Sequence, residues 1–249
     1  MTTNVLDRRN KMVASDSRWS SHPPSFPDLM VFLDDTGFDK IVDRPSAVMM
    51  CAGSMKLIAL WKTWFVAGTG PMPVSEFYEG SFKHEICVAV VRKRDFGLRF
   101  SAGTYENFED AAEFCGTGAI YAKDCYSVNG CAKTAVLTAS RHDPMTGGEV
   151  KFVDTKVPFS SNVMNPSTTV EEVEAQLATK GFVMEKSTGN VFSIATGQQV
   201  HQQAMSAAIA AGLSAPTGQK LRSWTERERE DLQKVMNEIL EDEAAANNS

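Results

Sequence analysis

The sequence predicts an α+β fold in which strand pairs and helices alternate within one layered domain. Three observations support this prediction. Short β-prone runs flank polar turns, longer apolar runs have the length of helices, and no apolar run approaches the ~18 residues that a membrane span needs. We place the layered domain at residues 2–196 and a helical C-terminal extension at residues 197–249, where the composition changes.

The first half of the chain is predicted to contain three strand pairs, a loop and a buried helix. Runs at residues 3–5 and 12–14 surround the polar RRNK and predict a hairpin. Residues 20–37 carry three prolines near their start and are predicted to form a loop. DKIVDRPSAVMMCAG is typical of two strands around a Pro-Ser turn, and MKLIALWKTWF of a buried helix. EICVAVV and LRFSAG flank the turn RKRDFG and predict a second hairpin.

The second half of the domain is predicted to be richer in helices. GTGAIYAKDCYSV and CAKTAVLTAS form two predicted helices separated at Asn129 and Gly130, and EVKFVD is a predicted strand. A capping box of Thr168 and Glu171 predicts the start of another helix, which should end at Gly181. FVMEKSTGNVFSI is predicted to close the domain as a hairpin.

The C-terminal extension is predicted to be helical with a disordered acidic tail. Residues 201–213 are Ala-rich, and a capping box of Ser223 and Glu226 precedes a final helix. One face of that helix is apolar and consists of Leu232, Val235, Met236, Ile239 and Leu240. Such a face must pack against its own domain or against a partner. The segment EDEAAANNS after it is predicted to be disordered.

Composition and charge argue against several functional classes. The net charge of −6 is concentrated in residues 225–249, so the nearly neutral remainder argues against a nucleic-acid partner. The five cysteines form no CxxC pair and have no histidines at metal-ligand spacing, so we predict buried free thiols, no metal and no cofactor. A Cys-His nucleophile pair stays open as an alternative. No leader or apolar span is visible, which favours a cytoplasmic protein without a membrane partner.

Thr2, which directly follows Met1, is a candidate nucleophile. A hydroxyl is a poor nucleophile at neutral pH and needs a neighbouring base. A threonine that begins a chain carries that base in its own α-amino group, whose pKa is about 8. Aminopeptidases generally remove Met before a small residue, so Thr2 would become the terminal residue. The supporting groups must then come from the rest of the sequence.

Three stretches resemble proteasome β-subunits and their bacterial, HslV-like relatives, the N-terminal-nucleophile threonine peptidases. In TTNVLDRRNKMVASDSR, Asp16 follows the turn as the family's Asp does, although its spacing from Thr2 is slightly shorter. In DKIV, Lys40 matches the active-site lysine, whose charge would lower the pKa of the nearby amine and hydroxyl. In MMCAGS, Gly53 matches the glycine whose N–H would bind the oxyanion.

Two later stretches continue the resemblance in the family's order. CGTGAIYA matches a GSG motif, with Thr117 at the position of the serine whose hydroxyl contacts the terminal amine. In RHDPMTGGEVKFVD, Asp143 and Thr146 keep the family's spacing before a Gly-Gly pair, and Asp143 would bind the terminal amine and hydroxyl. Each stretch alone also suits an ordinary turn or a solvated surface. Their order along residues 2–196 favours the family.

The resemblance implies a four-layer αββα sandwich and a threonine-type endopeptidase that forms an acyl-enzyme on Thr2. It also implies polypeptide substrates, homo-oligomeric stacked rings and, as a candidate partner, an ATP-dependent unfoldase. The final helix would then brace a neighbouring subunit or guard the ring entrance, if it does not fold back on its own domain. The corresponding substrate-binding positions are Trp19, Ser20, Phe38, Cys51 and Met55. They predict a preference for apolar residues before the scissile bond.

Two other functions stay open at this point. One is an N-terminal-nucleophile amidase that acts on a small molecule, and the other is a catalytically silent, proteasome-like scaffold. Retention of Met1 would favour the scaffold. The segment between the GTG and Asp143 is shorter than in typical family members and residues 20–37 are longer. These departures predict a trimmed helical layer and a remodelled loop beside the pocket.

Overall fold

The computed structural model describes residues 2–102, 106–108, 110–157, 160–164, 168–218 and 221–247. These residues form a mixed α/β structure with six helices and two large antiparallel sheets. The helices are α1 (Met55–Ala67), α2 (Ala119–Asn129), α3 (Ala132–His142), α4 (Val170–Lys180), α5 (Gln199–Ala211) and α6 (Glu226–Asn247).

The strands alternate with these helices along the chain. They are β1 (Asn4–Asp7), β2 (Met12–Ser15), β3 (Trp19–Ser21), β4 (Leu29–Leu33), β5 (Ile41–Asp43), β6 (Ala47–Ser54), β7 (Glu76–Glu79), β8 (Phe82–Arg92), β9 (Gly97–Ala102), β10 (Glu106–Phe108), β11 (Ala112–Cys115), β12 (Lys151–Asp154), β13 (Ser160–Ser161), β14 (Phe182–Glu185), β15 (Val191–Ser193) and β16 (Ser214–Ala215). The strand pairs and the helices predicted from the sequence are confirmed, apart from the loop, the caps and the tail described below.

The smaller sheet has six strands in the order β10-β11-β1-β2-β12-β13. Its centre is the predicted N-terminal hairpin, in which Val5 of β1 lies opposite Ala14 of β2. Helices α2 and α3 pack on one face of this sheet through small buried side chains such as Ala122, Ala135 and Ala139. The small side chains let the helices approach the hairpin closely, and Thr2 and Thr3, which precede β1, are buried.

The larger sheet has ten strands, most of them in the order β15-β14-β4-β3-β16-β6-β8-β7. Strand β5 pairs with β6, and β9 pairs with β8. Helices α1, α4, α5 and α6 share one buried cluster with this sheet, to which they contribute Trp61, Leu177, Met205 and Met236 respectively. A separate apolar cluster joins Leu6 and other residues of the smaller sheet to residues of β6 and β8. The two sheets therefore face each other, and the start of β1 lies close to the strand that ends at α1.

Residues 20–37, predicted to be a loop, contain a central strand of the larger sheet. Strand β4 is the sequence LMVFL, every residue of which is buried, and it pairs with both β3 and β14. The three prolines all precede it, so every backbone N–H of β4 is free to join the sheet. The loop prediction is therefore wrong for residues 29–33, and also for residues 20–21, which belong to β3.

Both predicted capping boxes occur, but each lies further along the chain. The residues that form them are Thr169 with Glu172 at α4 and Thr225 with Glu228 at α6. The predicted caps Thr168 and Ser223 use their hydroxyls elsewhere, Thr168 on the carbonyl of Thr36 and Ser223 on the carboxylate of Glu76. Their tertiary partners compete with the helix termini for the same hydroxyl groups.

Helix α6 folds back on its own chain. Four residues of its apolar face are buried in the cluster of the larger sheet, namely Leu232, Val235, Met236 and Ile239. The acidic segment after Leu240, which was predicted to be disordered, instead continues the helix to Asn247. Glu243 in this segment forms an ion pair with Arg44 and accepts a hydrogen bond from Ser46, which anchors the last turns.

The extension at residues 197–249 contributes to the same core as the preceding residues. Helix α5 adds Ala204, Met205 and Ala208 to the large cluster, and β16 lies inside the larger sheet. The division at residue 196 stays a prediction. Among the described residues, no helix combines the length and the apolar character that crossing a membrane requires.

The five cysteines are all free, as predicted, but they are not all buried. Cys51, Cys87 and Cys115 lie in the interior, whereas Cys125 and Cys131 are half-exposed at the helix pair α2 and α3. The prediction of buried thiols is therefore correct for the first three and wrong for the other two.

The packing of α6 predicts that its apolar face stabilises the whole chain. Ile239→Ala should lower the free energy of unfolding by about 2–5 kcal/mol, because it leaves a cavity in the shared core. Lys234→Ala, at a 69% exposed side chain of the same helix, is the control and should change it by less than about 0.5 kcal/mol. Urea unfolding followed by circular dichroism measures both. Equal, small effects would show that α6 is dispensable for the fold.

Candidate active site

Asp16 is the centre of a buried polar cluster at the start of the chain. Its Oδ1 atom accepts hydrogen bonds from Thr2 Oγ1 at 2.6 Å, from Lys40 Nζ at 2.8 Å and from the backbone N–H of Thr3 at 2.9 Å. Its Oδ2 atom accepts the backbone N–H of Gly147 at 3.2 Å. These donors suit a charged carboxylate, so a buried negative charge is compensated by an ammonium and by backbone dipoles.

Lys40 lies beside the Thr2 hydroxyl with its side chain completely buried. Both groups bind the same oxygen of Asp16, which brings the ammonium next to Thr2 Oγ1. Burial lowers the pKa of Lys40, and the ion pair with Asp16 opposes that effect. The sequence prediction that Asp16 would hold Lys40 near Thr2 agrees with this geometry, whereas the catalytic roles of these residues stay predictions.

A second hydrogen-bonded chain starts at Asp143. Its Oδ2 atom accepts from Thr146 Oγ1 at 2.7 Å and from Thr117 Oγ1 at 2.9 Å. The Thr146 hydroxyl also contacts the Thr3 hydroxyl at 2.8 Å. Three of the predicted site residues, Thr117, Asp143 and Thr146, therefore lie together. The contact with Thr3 brings this second chain to the residue next to Thr2.

The CGTG turn approaches the N-terminal strand so closely that two of its residues must be glycine. A Cβ atom on Gly116, whose φ is +98°, would lie 1.8 Å from the carbonyl oxygen of Thr2. A Cβ atom on Gly118 would lie 2.1 Å from Thr3 Oγ1. Sequence analysis placed a functional residue only at Thr117, and the flanking glycines were the signal for this close approach.

Gly53 lies where the neighbouring strand leaves no room for a side chain. Its φ is +122°, and a Cβ atom there would lie 2.2 Å from the carbonyl oxygen of Glu85 on the neighbouring strand β8. Its backbone lies opposite Ile86 on one side and opposite Ala215 of β16 on the other. The close packing explains why the residue is glycine, and its role as an oxyanion donor stays a prediction.

The predicted substrate-binding residues lie side by side in the interior. All five are buried, namely Trp19, Ser20, Phe38, Cys51 and Met55. The rings of Trp19 and Phe38 are 5.4 Å apart, and the indole N–H donates to the Phe38 carbonyl at 2.8 Å. Burial raises the pKa of Cys51 to about 12, so its thiol stays protonated at neutral pH and is a poor nucleophile.

Lys62 is a buried charge beside these residues that sequence analysis did not select. Its Nζ donates to the carbonyl of Asp39 at 2.7 Å and lies 4.2 Å from the centre of the Phe38 ring. Burial lowers its pKa to about 8, and Asp39 and Cys51 oppose this shift. The available signal was a lysine between two tryptophans, in the largely apolar run WKTWF. An amine that loses its proton readily therefore lies next to the predicted substrate pocket.

Comparisons with known proteins give limited information. No protein-family model and no curated protein matches the chain. A solved structure of Thiobacillus denitrificans BPH in complex with epoxomicin is 13% identical, with a TM-score of 0.44, and the match covers 61% of this chain and 97% of that one. A second structure of Thiobacillus denitrificans BPH is 12% identical, with a TM-score of 0.41, and covers 64% and 100% of the two chains. Both TM-scores are too low to establish a common fold.

Within the described ranges, no group of three or more His, Cys, Asp and Glu side chains is placed to hold a metal ion. The cluster around Asp16 is built instead from hydroxyl, ammonium and backbone N–H donors, which point to hydrogen bonding and proton transfer.

The lowered pKa of Lys62 predicts a stability difference that depends on pH. The folded chain releases the proton near pH 8 and the unfolded chain near its ordinary value of 10.5, so stability rises with pH between these values. Lys62→Met should lack this rise, which is roughly 3 kcal/mol at about 1.4 kcal/mol per pKa unit. Urea unfolding of both proteins at pH 7 and pH 10 measures it.

Lys234→Met is the matched control, because the Lys234 side chain is 69% exposed. Its stability difference from the wild type should hardly change between the two pH values. If Lys62→Met shows the same behaviour as this control, Lys62 is not held with a lowered pKa.

Proposed function

We propose that the chain is a threonine-type endopeptidase with the four-layer αββα sandwich of N-terminal-nucleophile hydrolases. Removal of Met1 exposes Thr2, which then cleaves peptide bonds through an acyl-enzyme. The observation that carries this proposal is the shared Asp16 oxygen, which binds the Thr2 hydroxyl and the Lys40 ammonium together. Such a buried pairing of hydroxyl and ammonium favours formation of an alkoxide at Thr2.

The reaction uses groups that lie in this cluster. The freed α-amine of Thr2 takes the hydroxyl proton while Oγ1 attacks the carbonyl carbon of the peptide bond. The Lys40 ammonium stabilises the developing negative charge, and Asp16 positions Lys40. The protonated amine then gives its proton to the leaving amine, which yields an ester on Thr2. Water, deprotonated by the same amine, hydrolyses the ester and regenerates the enzyme.

The arrangement of the apolar clusters supports the proposed sandwich. One cluster joins α2 and α3 to the smaller sheet, the next joins the two sheets, and the third joins the larger sheet to the other helices. This order corresponds to helices, sheet, sheet and helices. A start of β1 near the space between the sheets is consistent with a nucleophile at residue 2.

We also propose that identical chains assemble into stacked rings in the cytoplasm, take polypeptides as substrates and work with an ATP-dependent unfoldase. The helix pair α2 and α3 supplies a surface for such assembly through exposed apolar side chains, namely Ile120, Tyr121, Val128 and Leu137. Apolar side chains that cluster on a surface are typical of interfaces between subunits. Rings that enclose Thr2 would keep this unselective nucleophile away from folded proteins.

A catalytically silent shell is the second candidate function, and one observation favours it. Thr2 has no exposed surface. An unprocessed protein would therefore keep the nucleophile buried and blocked. Processing of Met1 and reactivity of Thr2 distinguish the two functions.

The proposal predicts that Thr2 alone supplies the nucleophile. Intact mass should show loss of Met1, and an epoxyketone peptide should add once to the wild type at Thr2. Thr2→Ala should abolish peptide turnover and labelling, whereas Thr2→Ser should keep part of both. Thr63→Ala, on the exposed side of α1, is the control and should behave like the wild type. Equal turnover by the wild type and Thr2→Ala would end the peptidase proposal.

Lys40 and Asp143 are predicted to act on the same step. Lys40→Ala and Asp143→Ala should each lower kcat by at least about 100-fold, because they tune and orient the amine and hydroxyl of Thr2. The exposed residues Lys234 and Asp124 provide the controls Lys234→Ala and Asp124→Ala, whose kcat should be unchanged. Circular dichroism confirms that each variant is folded. An unchanged kcat in folded Lys40→Ala and Asp143→Ala would place the active site elsewhere.

A further inference from the structure

The C-terminal extension inserts a short strand into the larger sheet next to the proposed site. Strand β16 lies between β3 and β6, with Ser214 opposite both Ser20 and Ser54 and with Ala215 opposite Gly53. The Ser214 hydroxyl also donates to the Ser20 carbonyl at 3.3 Å. Strands β3 and β6 are therefore separated by the width of one strand, and the chain itself fills the gap.

The register of β16 brings one of its carbonyl groups to the proposed oxyanion donor. The N–H of Met55 donates to the carbonyl of Leu213 at 3.0 Å, which identifies these two residues as a hydrogen-bonded pair. Hydrogen-bonded and non-hydrogen-bonded pairs alternate along antiparallel strands. Gly53 and Ala215 form the next hydrogen-bonded pair, so the N–H of Gly53 faces the carbonyl of Ala215. This is the N–H that the sequence analysis predicts to bind the oxyanion of the reaction.

The same segment reaches the other side of the proposed site. A Cβ atom on Gly218 would lie 2.3 Å from Thr117 Cγ2, so the backbone at residue 218 packs directly on Thr117. Thr117 in turn binds Asp143. Residues 213–218 therefore run from Gly53 to Thr117, and Thr2 is completely buried in the same structure.

The segment is anchored at both ends but has the features of a movable strand. Leu213 and Ala215 are buried in the large cluster, and Trp224 beyond the segment packs on Trp61. Glycines with positive φ lie at its two ends, at residues 212 and 218, and such residues absorb hinge rotations easily. A cavity of about 490 Å³ is lined by residues 212–214 and 216–218, so there is open space beside the segment.

We infer that residues 213–218 are an internal inhibitory strand that occupies the position of a peptide substrate. This inference rests on the proposed peptidase function. An extended peptide adds to a sheet through main-chain hydrogen bonds, and here it would have to pair with β3 and β6 in place of β16. The tethered strand competes at an effective concentration in the millimolar range, so the resting enzyme is slow. Substrates that displace it are extended polypeptides with a small residue opposite Gly53, where Ala215 now lies.

Gly218→Val tests this inference, because the added side chain collides with Thr117 and pushes the segment out of the gap. Its control is Gly189→Val. Gly189 has nearly the same φ, +73° against +72°, but a Cβ atom there meets nothing within 4 Å. Both variants therefore carry the same backbone strain, and only one carries the collision. The measurement is the rate at which an epoxyketone peptide modifies Thr2, followed by intact mass in the full-length protein.

Gly218→Val is expected to react at least about tenfold faster than both the wild type and Gly189→Val. If the wild type reacts at Thr2 as fast as folded Gly218→Val, the inhibitory strand is overturned and the peptidase proposal stands. If no protein reacts, including folded Gly218→Val, the peptidase proposal fails and the inference fails with it.

A cross-linked variant keeps the inference testable if Gly218→Val does not fold. Ser20 and Ser214 lie directly opposite each other on neighbouring strands, within the distance that a disulfide spans, so Ser20→Cys with Ser214→Cys can lock β16 in place. The oxidised variant should react with the epoxyketone at least about tenfold more slowly than the same protein after reduction. The wild type, oxidised and reduced in the same way, shows how much of any rate difference comes from the five natural cysteines. Equal rates in the locked and reduced variant would overturn the inference.

Discussion

The buried ion pair between Asp16 and Lys40 is the interaction on which the arrangement of the site depends. Two almost completely buried charges are costly unless each is fully hydrogen-bonded. If either residue is replaced, the other is left as an unpaired buried charge. Asp16 follows β2, Lys40 precedes β5, and the N–H of Gly147 comes from the turn before β12. The ion pair and its hydrogen bonds therefore require three separate parts of the chain to meet where β1 begins. That requirement places Thr2 in a preformed cluster of donors and acceptors.

Close backbone packing then determines which residues can surround this cluster. Gly116 and Gly118 allow the turn before α2 to touch Thr2 and Thr3, and Gly53 allows β6 to approach β8. Side chains at these positions would overlap with backbone or hydroxyl atoms, so the glycines are needed for the fold as well as for any chemistry. Function and stability are consequently hard to separate by substitution at these three positions, and variants of the polar side chains are more informative.

The extension links the site to the rest of the core. Helix α6 is held by its apolar face and by the ion pair of Glu243 with Arg44, while β16 lies beside Gly53 and residue 218 packs on Thr117. A change in the extension therefore has two distinct consequences. Removing the apolar face of α6 affects the stability of the whole chain, whereas moving residues 213–218 alone affects access to Thr2.

The sequence by itself determined most of the secondary structure, because hydrophobic periodicity and turn residues are local signals. The N-terminal hairpin, α1 and the helix pair α2 and α3 were all predicted from such signals. The polar residues Asp16, Lys40, Thr117 and Asp143 were also selected in advance, through a resemblance between short motifs in a common order. The strand β4 was missed because the preceding prolines suggested a loop and its partner strands are distant in the sequence. Only the tertiary structure decided that α6 packs on its own chain, that Lys62 is buried, and that β16 lies between β3 and β6. These features depend on contacts between residues far apart in the chain. A strand of two residues or a single lysine side chain carries no local pattern that specifies its partners.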